Sequence, residues 1–271
     1  MTDVNKGSLF TVLEREIVLF KEQFAITKDL LDEESVHDLR VIIKRLRAIV
    51  YLLEQSAEEF KKEKHYEIFN DIFEKTGKLR EIHVNQSILA IVDSSNKTEL
   101  FKYLKKKEGK SIKKAVKAID SFKINRVNTF SNNVQTRITG LNSSQFIRET
   151  YKIVKARLLE IKQVIEVDEK NIKLHRIRTQ MNVLRAICDI SNSIKQSDIL
   201  ERIIFELNAF HKDIGHWHDD EVFIKTCNKF LNKHKTKNQN EIESVIQIVS
   251  ERKISQENNL IEQLKVFAQH I

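Results

Sequence analysis

An all-α fold is predicted by three observations. The 271 residues include no proline and only five glycines, the apolar residues recur with a period near 3.6, and one long motif occurs twice. Average usage would supply roughly 13 prolines and 19 glycines at this length. Sandwiches and barrels spend both residues on turns, so the deficit argues against them. It also leaves little material for a glycine loop that cradles a nucleotide phosphate. Charged residues make up 32% and the hydrophobic set 41%, a composition that fits neither a disordered nor a membrane-embedded chain.

The apolar period predicts helices over approximately 9–28, 35–62, 64–92, 97–136, 143–168, 171–195, 197–233 and 238–270. Their breaks coincide with capping residues. Ser35 precedes Asp38 by three positions, a variant of the capping box, and Ser197 stands directly before Asp198 and a new apolar series. Gly140, Asn142 and Ser143 form the best linker, close to the midpoint. Cys188 and Cys227 form no CxxC motif and read as buried thiols in a reduced compartment. The opening MTDVNKGSLF lacks the apolar run of a signal peptide, and nowhere do 18 apolar residues follow one another. The expected location is therefore the cytoplasm.

The midpoint linker invites a comparison of the two halves. Val36–Ile49 (VHDLRVIIKRLRAI) set over Leu174–Ile187 (LHRIRTQMNVLRAI) gives six identities in 14 positions. About one is expected by chance. The same offset of 138 carries Gly77 onto Gly215 and Val84 onto Val222. The chain thus reads as two four-helix halves, 1–138 and 139–271.

Forty-seven Lys and Arg against 39 Asp and Glu leave a net charge of +8, which points towards a polyanion without choosing one. In the first copy of the motif, His37, Arg40, Lys44, Arg47 and Tyr51 share one helix face, opposite Leu39, Ile42, Ile43, Leu46, Ile49, Val50 and Leu53. From His37 to Arg47 the row spans about 15 Å at 1.5 Å per residue. Like charges repel, so such a row is best closed by an anion. Its recurrence as His175, Arg178 and Arg185 favours a site over a merely solvated face.

These residues resemble a known family. VHDLRVIIKRLRA followed by GKLREIHV is similar to the CHAD domain, a helical domain named for its conserved histidines, and LHRIRTQMNVLRA followed by GHWHDDEV echoes both elements. The resemblance implies that both halves together make one CHAD domain. Its two four-helix lobes would be related by a pseudo-twofold axis, with a basic groove or pore between them. It further implies binding of inorganic polyphosphate and association with polyphosphate granules, with no established catalytic activity. His37, Arg40, Lys44, Arg45 and Arg47 match the first motif, and Arg80 the arginine after the glycine. His175, Arg178 and Arg185 match the second copy. There Asn182 and Val183 replace two basic residues and His218 replaces the arginine, so the N-terminal half is expected to dominate binding.

A second basic stretch covers 101–126, with ten Lys or Arg against Glu108 and Asp120. Lys102, Lys106, Lys110, Lys113 and Lys117 follow helical spacing, with Ile112, Val116, Ile119 and Phe122 as the stripe to be buried. Lys106, Lys110, Lys113 and Lys117 are candidates for a further wall of the groove, and a solvated face is the alternative. Arg148, Lys152 and Lys155 form a weaker stripe that reads as solvated.

Two other functions compete less well. His216, His218, Asp219 and Asp220 could suit a metal-dependent phosphohydrolase, but no further ligands support them by spacing, and Trp217 reads as packing. His65, His83, His211, His234 and His270 share no spacing and read as surface or packing residues. No hydrolase or P-loop motif is present, so neither catalysis nor a cofactor or metal is expected. Sequence-independent nucleic-acid binding fits the charge, yet Phe101 and Tyr103 are the only aromatics before Phe122 in the lysine stretch. The expected partner is polyphosphate or another phosphate-rich polyanion, with no membrane and no specific nucleic acid.

Overall fold

The computed structural model describes residues 8–56, 66–93, 98–139, 143–167, 173–237 and 239–270. Among these there is no strand. Nine helices follow one another: α1 (Leu9–Leu30), α2 (Glu33–Ser56), α3 (Asn70–Val92), α4 (Glu99–Ser121), α5 (Asn125–Ile138), α6 (Ser143–Val167), α7 (Leu174–Ile194), α8 (Asp198–Leu231) and α9 (Gln239–His270), with a 3-10 turn at Glu67–Phe69. The linker residues Gly140 and Asn142 lie outside the described residues, as does the predicted helix boundary at 62–64.

Polar caps, rather than proline or glycine, start several helices. Ser8 accepts from the amide of Thr11, Thr98 from Phe101, and Ser197 from Leu200. The start of α2 departs from the sequence reading. Its cap is Asp32, whose Oδ1 accepts from the Ser35 amide at 2.7 Å. Ser35 itself is buried, and its carbonyl accepts from Thr27 Oγ1 at 2.9 Å.

The single helix expected over 97–136 is two. α4 stops at Phe122, whose backbone is extended. Its ring drops among Phe20, Phe24 and Phe69, with centroids 5.2–6.3 Å apart. No helix breaker marks this turn. The ring is partly buried against this core, and its apolar contacts favour the turn. Within α4 the buried side is Leu100, Leu104, Ala115, Ala118 and Ile119, while Val116 is exposed.

α2 is among the most buried helices, with Leu39, Ile43, Leu46, Ile49, Val50, Leu52 and Leu53 fully enclosed. It lies against α1, α3 and α7, and α3 lies against α8. Helices equated by the offset of 138 therefore pack against each other. One hydrophobic core draws on all nine helices, crossing the 138/139 boundary. A second joins the C-terminal end of α3 and the start of α4 to α8 and α9. Cys188 and Cys227 are free and fully buried, and burial pushes both thiols up to about 12. Among the described residues no helix is long and apolar enough to cross a membrane.

Candidate functional site

The face of α2 opposite its buried stripe carries the expected row, and neighbouring helices shape each member. Arg40 is held most firmly. Its Nη1 donates to the carbonyl of Phe73 on α3, and its guanidinium lies 4.0 Å from the Phe73 ring centroid. Burial and the nearby Arg80 push it down to about 10, against the raising effect of Tyr66. The close approach to α3 is possible because Gly77 has no side chain: a Cβ there would sit 2.7 Å from Arg40 Nη1.

Lys44 marks the point where α2 meets α7. Solvent reaches its side chain, yet protein closes around the ammonium on enough sides to desolvate it. That desolvation, with the like charges of Arg40, Arg178 and Arg185, pushes Lys44 down to about 8. Among the described residues no carboxylate lies within ion-pair distance of it. His37 is likewise lowered, first by desolvation and then by Arg80, Lys44 and Arg40, with Asp38 opposing. Arg178 and Arg80 both act on Asp219, whose carboxyl is nevertheless raised by burial.

α2, α3, α7 and α8 thus bring together His37, Arg40, Lys44, Arg80, Arg178 and Arg185. His211 joins them. Desolvation and the charges of Arg185, Lys44, Arg178 and His37 push its imidazole down to about 4, so this exposed residue lies beside the cationic cluster. The offset of 138 places His211 at Phe73, the ring under Arg40. That correspondence was the available signal.

Other candidates lie apart, and two members of the cluster, Arg80 and Arg185, also have carboxylate neighbours. Arg45 points towards α1, where its Nη2 pairs with Glu16 Oε1 at 2.9 Å. The Glu16 side chain is fully enclosed and also binds Arg15 at 3.1 Å. Arg47 is exposed and lies 5.0 Å from the Tyr66 ring centroid. Tyr51 accepts from Arg157 Nη2 at 2.6 Å. Arg80 donates to Glu33, and Arg185 lies 3.9 Å from Asp189. Lys106, Lys110, Lys113 and Lys117 are exposed on α4. The charges that perturb the cluster come from α2, α3, α7 and α8, with none from these four lysines. Arg148, Lys152 and Lys155 are exposed, with Lys152 3.0 Å from Glu149.

The HWHDDE segment divides its residues among separate tasks. Trp217 is buried and donates from Nε1 to Glu257 at 3.0 Å. Asp220 is buried in a bidentate pair with Arg252, at 2.8 and 2.5 Å. Asp219 faces the cationic cluster, and His216 is exposed. His218 instead meets His175, with ring centroids 5.3 Å apart, and Glu221 stands beside both. Of the remaining histidines, His83 lies 3.7 Å from Glu108 and His234 stacks on Phe230. His65 and the side chain of His270 lie outside the described residues.

A family model described as the CHAD domain matches residues 18–228. The crystal structure of the CHAD domain from the plant Ricinus communis is similar to this chain with a TM-score of 0.80 at 16% identity, covering 100% of this chain and 95% of that one. No curated protein matches the chain.

Proposed function

The chain belongs to the CHAD domain family, and from that premise we propose that it is a non-enzymatic binder of inorganic polyphosphate, working at polyphosphate granules in the cytoplasm. The observation that carries this reading is Lys44. It lies beside Arg40, Arg178 and Arg185 with no carboxylate in ion-pair distance among the described residues, a cation without its counter-charge. A chain of phosphates, each with about one negative charge, would supply that counter-charge along the whole row and release condensed ions as it bound. Arginine forks suit phosphate oxygens, and Lys44 adds a mobile point charge.

The two halves contribute unequally in this reading. Arg178 and Arg185 each have a carboxylate nearby, Asp219 and Asp189, whereas Lys44 has none within ion-pair distance among the described residues. Asn182 stands at the position equated with Lys44, where a second lysine would crowd another cation into the cluster. Nucleic acid is the weaker partner, because Tyr103 packs 5.0 Å from Phe230 rather than offering a free stacking face.

Polyphosphate affinity measured against salt, with RNA and heparin as comparators, tests the reading. We expect steep salt dependence, and at least roughly a 100-fold loss when Arg40, Lys44 and Arg47 are together replaced by alanine, with helicity retained. Unchanged affinity in that variant refutes the site. Preferential displacement of polyphosphate by RNA at matched salt refutes the ligand.

A further inference from the structure

His175 on α7, with His218 and Glu221 one turn apart on α8, place one donor atom each within 4.8 Å of the others. Two imidazole nitrogens and one carboxylate are a donor set that binds zinc while leaving a fourth position open. Tetrahedral zinc needs donors about 3.3 Å apart, given bonds near 2.0 Å. Small side-chain rotations close that gap. We propose that these three residues form a binding site for a borderline transition-metal ion of the zinc class, separate from the polyphosphate reading.

The supporting observations concern unmet bonding. His218 Nδ1 and Glu221 Oε2 are buried and have no hydrogen-bond partner among the described residues. Glu221 Oε2 lies 2.5 Å from His175 Nε2 without the alignment of a hydrogen bond. Lys225 holds the other oxygen, Oε1, at 2.7 Å, which orients the carboxylate and leaves Oε2 for a metal. The His175 ring lies 4.8 Å from the Trp217 ring.

The surroundings also select the ion. Arg178, Lys225 and Lys253 make the neighbourhood positive, which opposes any dication. An ion held mainly by electrostatics, such as magnesium or calcium, gains too little there. Zinc and its transition-metal neighbours gain strong bonds to imidazole nitrogen. The site arises from two departures between the halves. At the offset of 138, His218 replaces Arg80 and Glu221 replaces His83, so a guanidinium that cannot ligate becomes an imidazole that can.

Calorimetric titration of the metal-free full chain with zinc chloride, without polyphosphate, tests the proposal. One equivalent should bind, and magnesium should not compete. His218→Ala and Glu221→Ala should each weaken zinc binding at least about tenfold, and His216→Ala should leave it unchanged. His218→Arg places in this half the residue that Arg80 supplies in the other, and should abolish binding while circular dichroism stays native. Cobalt loaded in place of zinc should show tetrahedral visible absorption that His218→Arg removes. Full affinity in His218→Arg, or loss in His216→Ala, overturns the assignment.

Discussion

The Cβ that Gly77 lacks would fall 2.7 Å from Nη1 of Arg40, inside any allowed contact. Gly77 sits within α3, where glycine costs about 1 kcal/mol relative to alanine. The gap is occupied by the guanidinium that stacks on Phe73 and bonds its carbonyl. Glycine here makes room for a charge. Gly215, its counterpart at the offset of 138, faces open space, with nothing within 4 Å of its added Cβ.

Substitution should therefore separate the two glycines. Gly77→Ala adds helix propensity but expels the end of a flexible side chain, so we expect a native fold and polyphosphate affinity reduced about as much as in Arg40→Ala. Gly215→Ala should raise stability by about 1 kcal/mol with binding unchanged. Thermal melts beside binding isotherms make the comparison. Full affinity in Gly77→Ala would show that the position of Arg40 against α3 is irrelevant to the ligand.

Arg45 should behave in the opposite way. It matches the basic motif as well as its neighbours do, yet it serves the enclosed carboxylate of Glu16. Arg45→Ala leaves that charge with Arg15 as its remaining partner, and we expect a loss of about 2–3 kcal/mol, below the full cost of stranding a buried ion. Polyphosphate affinity should change less than twofold. Denaturant unfolding and a binding isotherm on the same sample decide it: a stable variant with weakened binding would move Arg45 into the site.

The difference between Arg45 and Arg40 shows what the sequence could convey. Periodicity is local, so the buried stripe of α2 was readable residue by residue: Leu39, Ile43, Leu46, Ile49, Val50 and Leu53 are enclosed, and Ile42 is partly so. The same logic placed His37, Arg40 and Lys44 on one face. It carried no information about Glu16, which reaches Arg45 only because α1 folds against α2. Phe122 was visible as apolar, but its role in ending α4 depends on Phe20, Phe24 and Phe69, which lie far away in sequence. His211 had no local spacing to mark it, and only the register with Phe73 hinted at its place. The metal-type trio was half legible. His218 and Glu221 have helical spacing, whereas His175 arrives from another helix.

The cluster also predicts opposite pH effects on stability and on binding. His211 and His218 are held at about 4 in the folded chain, against an ordinary imidazole value near 6.5. The unfolded chain therefore takes up more protons between those values, and the free protein should lose stability as pH falls from about 6.5 towards 4. A bound polyanion reverses the local repulsion. The groups facing it are His37, Arg40 and Lys44 from α2, Arg80 from α3, Arg178 and Arg185 from α7, and His211 and Asp219 from α8. Neutralising the cations among them lets His37 and His211 regain protons, and the added negative charge raises Asp219 further. The complex then holds more protons than the free protein, so affinity for a long polyphosphate should rise on acidification, by roughly threefold to tenfold per pH unit for half to one proton taken up. On the alkaline side, Lys44 discharges in the free chain near 8, and affinity should fall as pH rises through that value. Lys44→Arg should flatten this alkaline limb, because a guanidinium stays charged. Calorimetry in buffers of differing ionisation enthalpy reads the proton uptake directly. A proton count of zero at pH 6, or an affinity that falls between pH 7.5 and 5.5 while the fold persists, would rule out the cluster as the place where the polyanion sits.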